Sequence, residues 1–304
     1  MRPFLPIAIA WLIAMPAALA ADALGRRSSD PDRRRGSVVG VLVVAHGGDN
    51  RWNGLVRKAI TQARLDVPVQ VAFGMGMHDE ETRAFQDAVN RLQRKGIHRL
   101  VVIPLLVSSH SEVFRQYEYL FHVRGEAEWK DVEPLRLKVP VVMGKALDDD
   151  PLITGIVLER ARNLSRNPSE ETVVLVGHGP VSDEDAVRWL EAMGRIGEAV
   201  KTEGVFKAVL TALMRDDAPP PIKEEAGRQL REAVRTAGGQ SRVLVVPLLI
   251  ASGGVEHKIP KLLSGLSYAY DGEALLPHLK LSEWLARQAG QLAREHGDGQ
   301  GVAQ

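Results

Sequence analysis

Apolar positions along the chain alternate between short unbroken runs and longer stripes at helical spacing. Val38 to Ala45 is too continuous in valine and leucine for a half-exposed strand, so it predicts a central strand covered on both faces. His46-Gly47-Gly48-Asp49-Asn50 is the turn after it. Trp52, Leu55, Val56, Ala59, Ile60 and Ala63 then recur at helical spacing, with Asp49 or Asn50 as N-cap. Val67 to Phe73 predicts a second strand, and Gly74-Met75-Gly76-Met77 a flexible strand-end turn. A helix over Glu80 to Lys95 stops at Gly96. Leu100 to Val107 is the third strand, followed by the loop Ser108 to Glu112 and a helix carrying Val113, Tyr117 and Leu120. Leu135 to Val142 reads as a fourth strand and Leu152 to Leu164 as a helix.

The same order begins again at Glu171. Thr172 to Val176 is a strand ending on Gly177-His178-Gly179, and a helix capped by Ser182 or Asp183 carries Ala186, Trp189, Leu190 and Met193. Val205 to Leu213 is a second strand, Ile222 to Thr236 a charged helix and Arg242 to Ile250 a third strand. Leu281 to Arg294 is a C-terminal helix that closes the second half. Val102-Ile103-Pro104-Leu105-Leu106-Val107 has its counterpart in Val245-Val246-Pro247-Leu248-Leu249-Ile250. The two prolines lie further apart than the two His-Gly pairs, which predicts a loop insertion around Asp216 to Pro221.

Strands alternating with helices imply parallel βαβ units with right-handed crossovers. The fold class is therefore α/β: two tandem flavodoxin-like domains, each a four-stranded parallel sheet flanked by helices. Open parallel sheets bind ligands at the carboxyl ends of their strands. Both His-Gly turns and both polar loops lie at such ends, so the active cleft is expected between the two domains.

Composition narrows this picture. At 304 residues and 45% hydrophobic content the chain has the size of two domains with real cores. A formal net charge of +1 gives no global attraction to nucleic acid. There is no cysteine, which excludes a thiolate nucleophile, a CxxC redox centre and cysteine-held metal. The N-terminus is not fold: Met1-Arg2, an apolar stretch from Phe4 to Ala17 and Ala18-Leu19-Ala20 read as a signal peptide cut after Ala20. The apolar run is shorter than a spanning helix, so no stable membrane insertion is expected after cleavage, and the protein is periplasmic or exported. The expected organisation is a signal peptide over 1–20, a charged flexible leader over 21–37, domains over 38–168 and 169–296, and a tail over 297–304.

Six residues with the chemistry for metal or proton work gather at the strand ends: His46, His110 and Glu112 in the first half, and His178, Glu256 and His257 in the second. Imidazole with carboxylate suits divalent transition metals and proton transfer near neutral pH. A lone strand-end histidine is more often a hydrogen-bonded turn residue, but recurrence at matching places in both halves favours function. GxxxxGK[ST], GxSxG and a strand-linked GxGxxG are missing, which removes the common nucleotide and hydrolase readings.

A strand ending in His-Gly, then Pro-Leu-Leu-Val and a loop bearing His and Glu, resembles the class II tetrapyrrole metal chelatases. Ser108-Ser109-His110-Ser111-Glu112-Val113 is similar to the ferrochelatase segment whose glutamate faces the metal-binding histidine. Ser252-Gly253-Gly254-Val255-Glu256-His257-Lys258-Ile259-Pro260 is similar to a glycine-histidine segment of the sirohydrochlorin cobaltochelatases. The resemblance implies an enzyme that inserts Co²⁺ or Fe²⁺, with Ni²⁺ as a further candidate, into a sirohydrochlorin-like tetrapyrrole without an organic cofactor. It implies catalytic roles for His46, Glu112, His178 and Glu256, and metal ligation by His46, His110, His178 and His257. The second-half carboxylate position is shared between Glu256 and His257. The alternative is an exported carrier for metal or haem that keeps the fold without turnover. Trp52, Met75, Met77, Phe114, Tyr117, Trp189 and Met193 are candidates for the apolar cleft wall, although such residues at helical spacing usually belong to the core. A duplicated chain replaces the homodimer of a single-domain relative, so a monomer is expected. Which half works is left open.

Overall fold

The structure, a computed structural model, describes residues 38–294; the expected signal peptide, leader and tail lie outside the described residues. β1 (Val39–Ala45), β2 (Val69–Phe73), β3 (Arg99–Leu105) and β4 (Val141–Met143) form a parallel sheet in the order β2-β1-β3-β4. β5 (Glu171–Gly177), β6 (Ala208–Leu213) and β7 (Arg242–Leu248) form a second in the order β6-β5-β7. The fold is α/β, with parallel sheets of four and three strands flanked by helices. The helices are α1 (Asn50–Gln62), α2 (Asp79–Gln93), α3 (Glu112–Leu120), α4 (Pro151–Leu164), α5 (Asp183–Gly204), α6 (Pro220–Gly238), α7 (Lys258–Leu262) and α8 (Leu279–Arg294).

The registers of the two sheets correspond. Val44 pairs with Pro104 across β1 and β3, and Val176 with Pro247 across β5 and β7. The expected fourth strand of the second sheet is reduced to isolated parallel bridges, one of Ala251 with Leu276 past the end of β7 and one of Leu244 with Ala269 beside it. Two hydrogen bonds hold the latter, Ala269 N to Val243 O and Val245 N to Ala269 O, before Gly272 at φ 75° turns the chain away. β4 is also shorter than the apolar run from Leu135 predicts. Its approach takes hydrogen bonds from α2 instead of from a strand, since Gln86 Oε1 accepts from Arg136 N and Gln93 Oε1 from Lys138 N. The extra length of the second half lies chiefly in helices, not in the loop around Asp216 to Pro221. α5 has 22 residues against 13 in α1, and α6 has 19 against 15 in α2.

Alternation along the strands divides the core into layers. Leu42, Val44, Leu100 and Val102 face α2 and α3, while Val174, Val176, Val243 and Val245 face α6 and α7. The other faces, Val41, Val43, Val101 and Ile103 with Val173, Leu175, Leu244 and Val246, share one continuous core filled from α1, α4, α5 and α8. Each fully buried Val or Leu contributes roughly 1.5–3 kcal/mol, so this shared layer binds the halves firmly. The C-terminal helix does not close the second half alone. α8 packs on α1, α4 and β3, while α4 packs on α5 and β7, so each half lends a helix to the other. The carboxyl ends of both central strands consequently emerge on a fixed frame.

Candidate active site at the paired strand ends

Each central strand delivers its histidine into a turn built the same way. His46 Nδ1 lies 2.9 Å from Gly47 O, and His178 Nδ1 lies 3.0 Å from Gly179 O. A carbonyl only accepts, so in both turns it is Nδ1 that carries a proton toward the backbone. Gly47 at φ 87° and Gly179 at φ 81° occupy the left-handed region that this turn requires. Asp49 caps α1 through Trp52 N at 2.7 Å, and Ser182 caps α5 through Asp185 N at 3.1 Å.

The surroundings of the two imidazoles differ sharply. His46 is exposed, and among the described residues no hydrogen bond reaches its Nε2. His178 is half-buried, and its Nε2 faces Asp217 Oδ2 at 3.4 Å. The reason lies in the turn after the second strand. Gly74 N donates to Ala45 O, and Met214 N to Gly177 O, both at 3.0 Å, which sets Gly74-Met75-Gly76-Met77 against Met214-Arg215-Asp216-Asp217. In the second half this turn is filled with charge. Arg215 donates to Pro180 O at 3.0 Å, to Asp183 at 2.6 Å and to Val181 O, stitching the histidine turn shut. Burial raises the Asp216 pKa, but Lys223 and Lys258 override it and hold the carboxyl below its usual range.

In the first half the equivalent turn presents half-buried Met75 and Met77. It is clasped, not flexible as its glycines predict. Glu81 Oε2 accepts from Met75 N at 3.2 Å and Met77 N at 3.0 Å, Gln116 Nε2 donates to Gly76 O at 2.9 Å, and Tyr117 donates to Gly74 O. Glu81 and Gln116 were invisible as site residues because nothing short of the turn's fold distinguishes them from helix residues, and Tyr117 was read only as a candidate for the cleft wall. Tyr117→Phe is expected to cost about 1 kcal/mol in denaturant unfolding, the worth of one buried hydrogen bond.

The polar loops cross between the halves. Glu112 opens α3 and sends Oε1 to Ser182 N at 3.0 Å, while His110 O accepts from Trp189 Nε1 at 2.5 Å. The loop of the first half therefore meets the histidine turn of the second. Reciprocally, Gly253 lies against Trp52, where a Cβ would stand 3.0 Å from Cδ1, and Trp52 also underlies Gly48. That brings the loop of the second half to the His46 turn. Trp52, Phe114, Tyr117, Trp189 and Met193 are buried core, as their helical spacing suggests, and only Met75 and Met77 among the proposed wall residues stay partly open.

Glu256 and His257 part company. His257 is exposed, with Nε2 3.4 Å from Glu256 Oε1. Glu256 is buried and accepts from Gly253 N at 3.0 Å and Gly254 N at 2.9 Å, which makes it the clasp of its loop. Burial raises its pKa, but the two amides outweigh burial and hold it below the usual glutamate range. A depressed carboxyl stabilises the fold above its unfolded pKa and loses that contribution as pH falls through the folded one. Thermal unfolding of the wild type and Glu256→Gln should therefore show a gap that is widest at pH 7 and narrows towards pH 4; a constant gap would contradict this. Among the described residues no three His, Asp or Glu side chains converge as a group able to hold a metal.

A family model, CbiX, matches residues 40–164, which run from β1 through α4. No curated protein matches the chain. Among solved structures, SirB from Bacillus subtilis, determined with Fe³⁺, is similar with a TM-score of 0.59 at 17% identity, over 85% of this chain and 96% of that one. DR2241 from Deinococcus radiodurans, a multi-domain protein with structural similarity to chelatases and two additional novel domains, gives 0.52 at 15% identity, over 87% of this chain and 56% of that one. At these identities the likeness to solved structures establishes the fold, and the family match lies wholly in the half that carries His46.

Proposed function

We propose that the protein is a metal chelatase that inserts a divalent ion, Co²⁺ or Fe²⁺, into a sirohydrochlorin-like tetrapyrrole, and that His46 in the first half is the working imidazole. The observation that carries this reading is the contrast at Nε2: that of exposed His46 meets no hydrogen-bond partner among the described residues, and that of His178 faces the Asp217 carboxylate. The position of the CbiX match supports it. A tetrapyrrole must lose two N–H protons as the ion enters, so a base has to lie against the ring while the ion is handed over. Neutral imidazole serves both tasks, and a single exposed imidazole suits an ion in transit. At the start of α3, after the loop that leaves β3, Glu112 keeps one oxygen without a hydrogen bond among the described residues, available to balance charge. Glu256 acts as a positioning residue that shapes the loop bearing His257.

In this reading the two halves descend from one duplicated unit, supported by the matched registers and turns, and the second has been converted into a scaffold. The mature chain begins at Ala21 outside the cytoplasm and works as a monomer, on the strength of its N-terminal sequence and its internally paired halves. An anaerobic mixture of mature protein, sirohydrochlorin and Co²⁺ should shift the macrocycle spectrum to that of the metallated form. Binding of Co²⁺ with no shift would favour the carrier reading.

A further inference from the structure

The connection from β4 to α4 holds three consecutive aspartates, and each is committed to a different element. Asp150 caps α4 through Leu152 N at 2.9 Å and pairs with Arg287 of α8. Asp149 pairs with Arg195 of α5. Asp148 turns the other way, onto the loop that follows β3. Its Oδ1 accepts from Ser109 N and its Oδ2 from Ser109 Oγ, both at 2.7 Å, and that hydroxyl accepts in turn from Ala146 N at 2.9 Å. Asp148 holds this pose at φ 44°, a left-handed conformation that costs free energy in residues other than glycine and persists where the surroundings over-determine it.

In the second half the same frame lacks the carboxylate. Leu147 N and Asp148 N donate to Leu106 O and Val107 O, and Leu275 N and Leu276 N donate to Leu249 O and Ile250 O, so the two connections extend their sheets alike. By that correspondence Leu276 stands where Asp148 does, and Ser252 where Ser109 does. Leu276 is buried and apolar, and Ser252 Oγ donates to Gly272 O at 3.1 Å instead. The backbone plan therefore does not require the clamp, which occurs in the half whose central histidine is exposed.

What the clamp holds in place is His110. Its N donates to Ser108 Oγ at 3.1 Å and its O accepts from Trp189 Nε1 at 2.5 Å, Ser111 Oγ caps α3 at Phe114 N, and Glu112 accepts from Ser182 N. Each residue of the loop is tied, yet among the described residues no hydrogen bond reaches the His110 ring, which is half-buried and lines a cleft of about 440 Å³. β3 pairs with β1, so this loop leaves the sheet beside the His46 turn. A loop fixed so fully around one free imidazole is organised to place that ring.

Deepening the chelatase reading and resting on it, we propose that Asp148 is a positioning residue for turnover: it fixes Ser109, and through it the His110 imidazole, as the second proton acceptor of the site. The macrocycle gives up two N–H protons as the ion enters. One passes to neutral His46 and the other to neutral His110, each ring becoming imidazolium while the two freed pyrrole nitrogens bind the ion. The charge-assisted seat of Ser109 on Asp148 is what keeps the second acceptor in reach.

The clamp is tested on the full mature protein without metal or macrocycle, by amide hydrogen exchange read by mass spectrometry. Asp148→Gly suits φ 44° and removes the carboxylate, so the segment from Leu106 to Val113 should exchange about tenfold faster or more while β1 and α4 exchange as in wild type. Ser109→Ala should raise exchange in the same segment. Unchanged exchange there in both variants would overturn the clamp. Its role is read in insertion kinetics, where Asp148→Gly should lower kcat about tenfold with KM within about twofold, because a misplaced acceptor costs rate and not binding. His110→Ala should lower kcat at least as much, and the double variant should be no more than about twofold slower than His110→Ala, since both act through one ring. Losses that multiply, or a raised KM with kcat unchanged, would overturn the positioning role. A wild type that forms no metallated product would overturn the chelatase reading and the role in turnover with it, and the exchange result would still decide the clamp.

Discussion

His46→Ala lowers metal insertion by about a hundredfold or more, the range expected when a positioned proton acceptor is removed, and His178→Ala leaves the rate within about threefold. The two substitutions remove the same ring from the same strand position, so only the surroundings differ. At His46 the turn Gly74-Met75-Gly76-Met77 leaves Nε2 facing outward; at His178, Arg215 and Asp217 occupy that space. His46 is exposed, so its loss should not change thermal stability appreciably. His178→Ala should instead show modestly in unfolding, because its half-buried ring packs in the turn that Arg215 ties together, the exposed Asp217 contact adding little. Initial rates of metallated macrocycle formation, with denaturant unfolding of both variants, check the pair. Equal losses of activity would mean that both strand ends work.

Asp185→Ala lowers the unfolding free energy by about 3 kcal/mol, the low end for removing one member of a buried ion pair. Asp185 is 5% exposed, carries both bonds from Arg115, and accepts from Ser182 Oγ at 3.0 Å while its own amide donates back to that oxygen. The substitution thus removes the side-chain half of the Ser182–Asp185 capping pair, leaving its amide bond, together with the Arg115 tie between α3 and α5. Glu128 retains part of the Arg115 charge, which keeps the loss from being larger. Replacing both partners, Arg115→Met with Asp185→Leu, should recover at least half of the loss, because no buried charge is then left unpaired. A double-mutant cycle in urea measures this coupling, and additive losses would contradict it.

Much of the fold was legible because its central strands are buried on both faces. Val39–Ala45 and Glu171–Gly177 could be read as strands from unbroken apolar runs, and the His-Gly turns from glycines at positive φ. The lapses occurred where pairing is decided at a distance. Leu135 is buried yet not in a strand, since glutamines of α2 satisfy the backbone that follows it. The fourth strand of the second sheet is likewise reduced to isolated bridges. At the site, the histidines and the polar loops could be picked out by residue type, but the crossing of loops between halves could not. Trp189 to His110 and Glu112 to Ser182 join residues remote in sequence. The asymmetry between the halves was within reach: aligning Met75 and Met77 with Arg215 and Asp217 contrasts a soft, open turn with a charged one.

The central claim is turnover, and counting turnovers tests it most directly. Mature protein at low concentration is mixed anaerobically with a large excess of sirohydrochlorin and Co²⁺, and metallated product is quantified by absorbance after correction for the protein-free rate. Product should exceed the protein many times over, and His46→Ala should remove that excess. A plateau at one equivalent of bound, unmetallated macrocycle or ion per chain would contradict the account and establish a carrier.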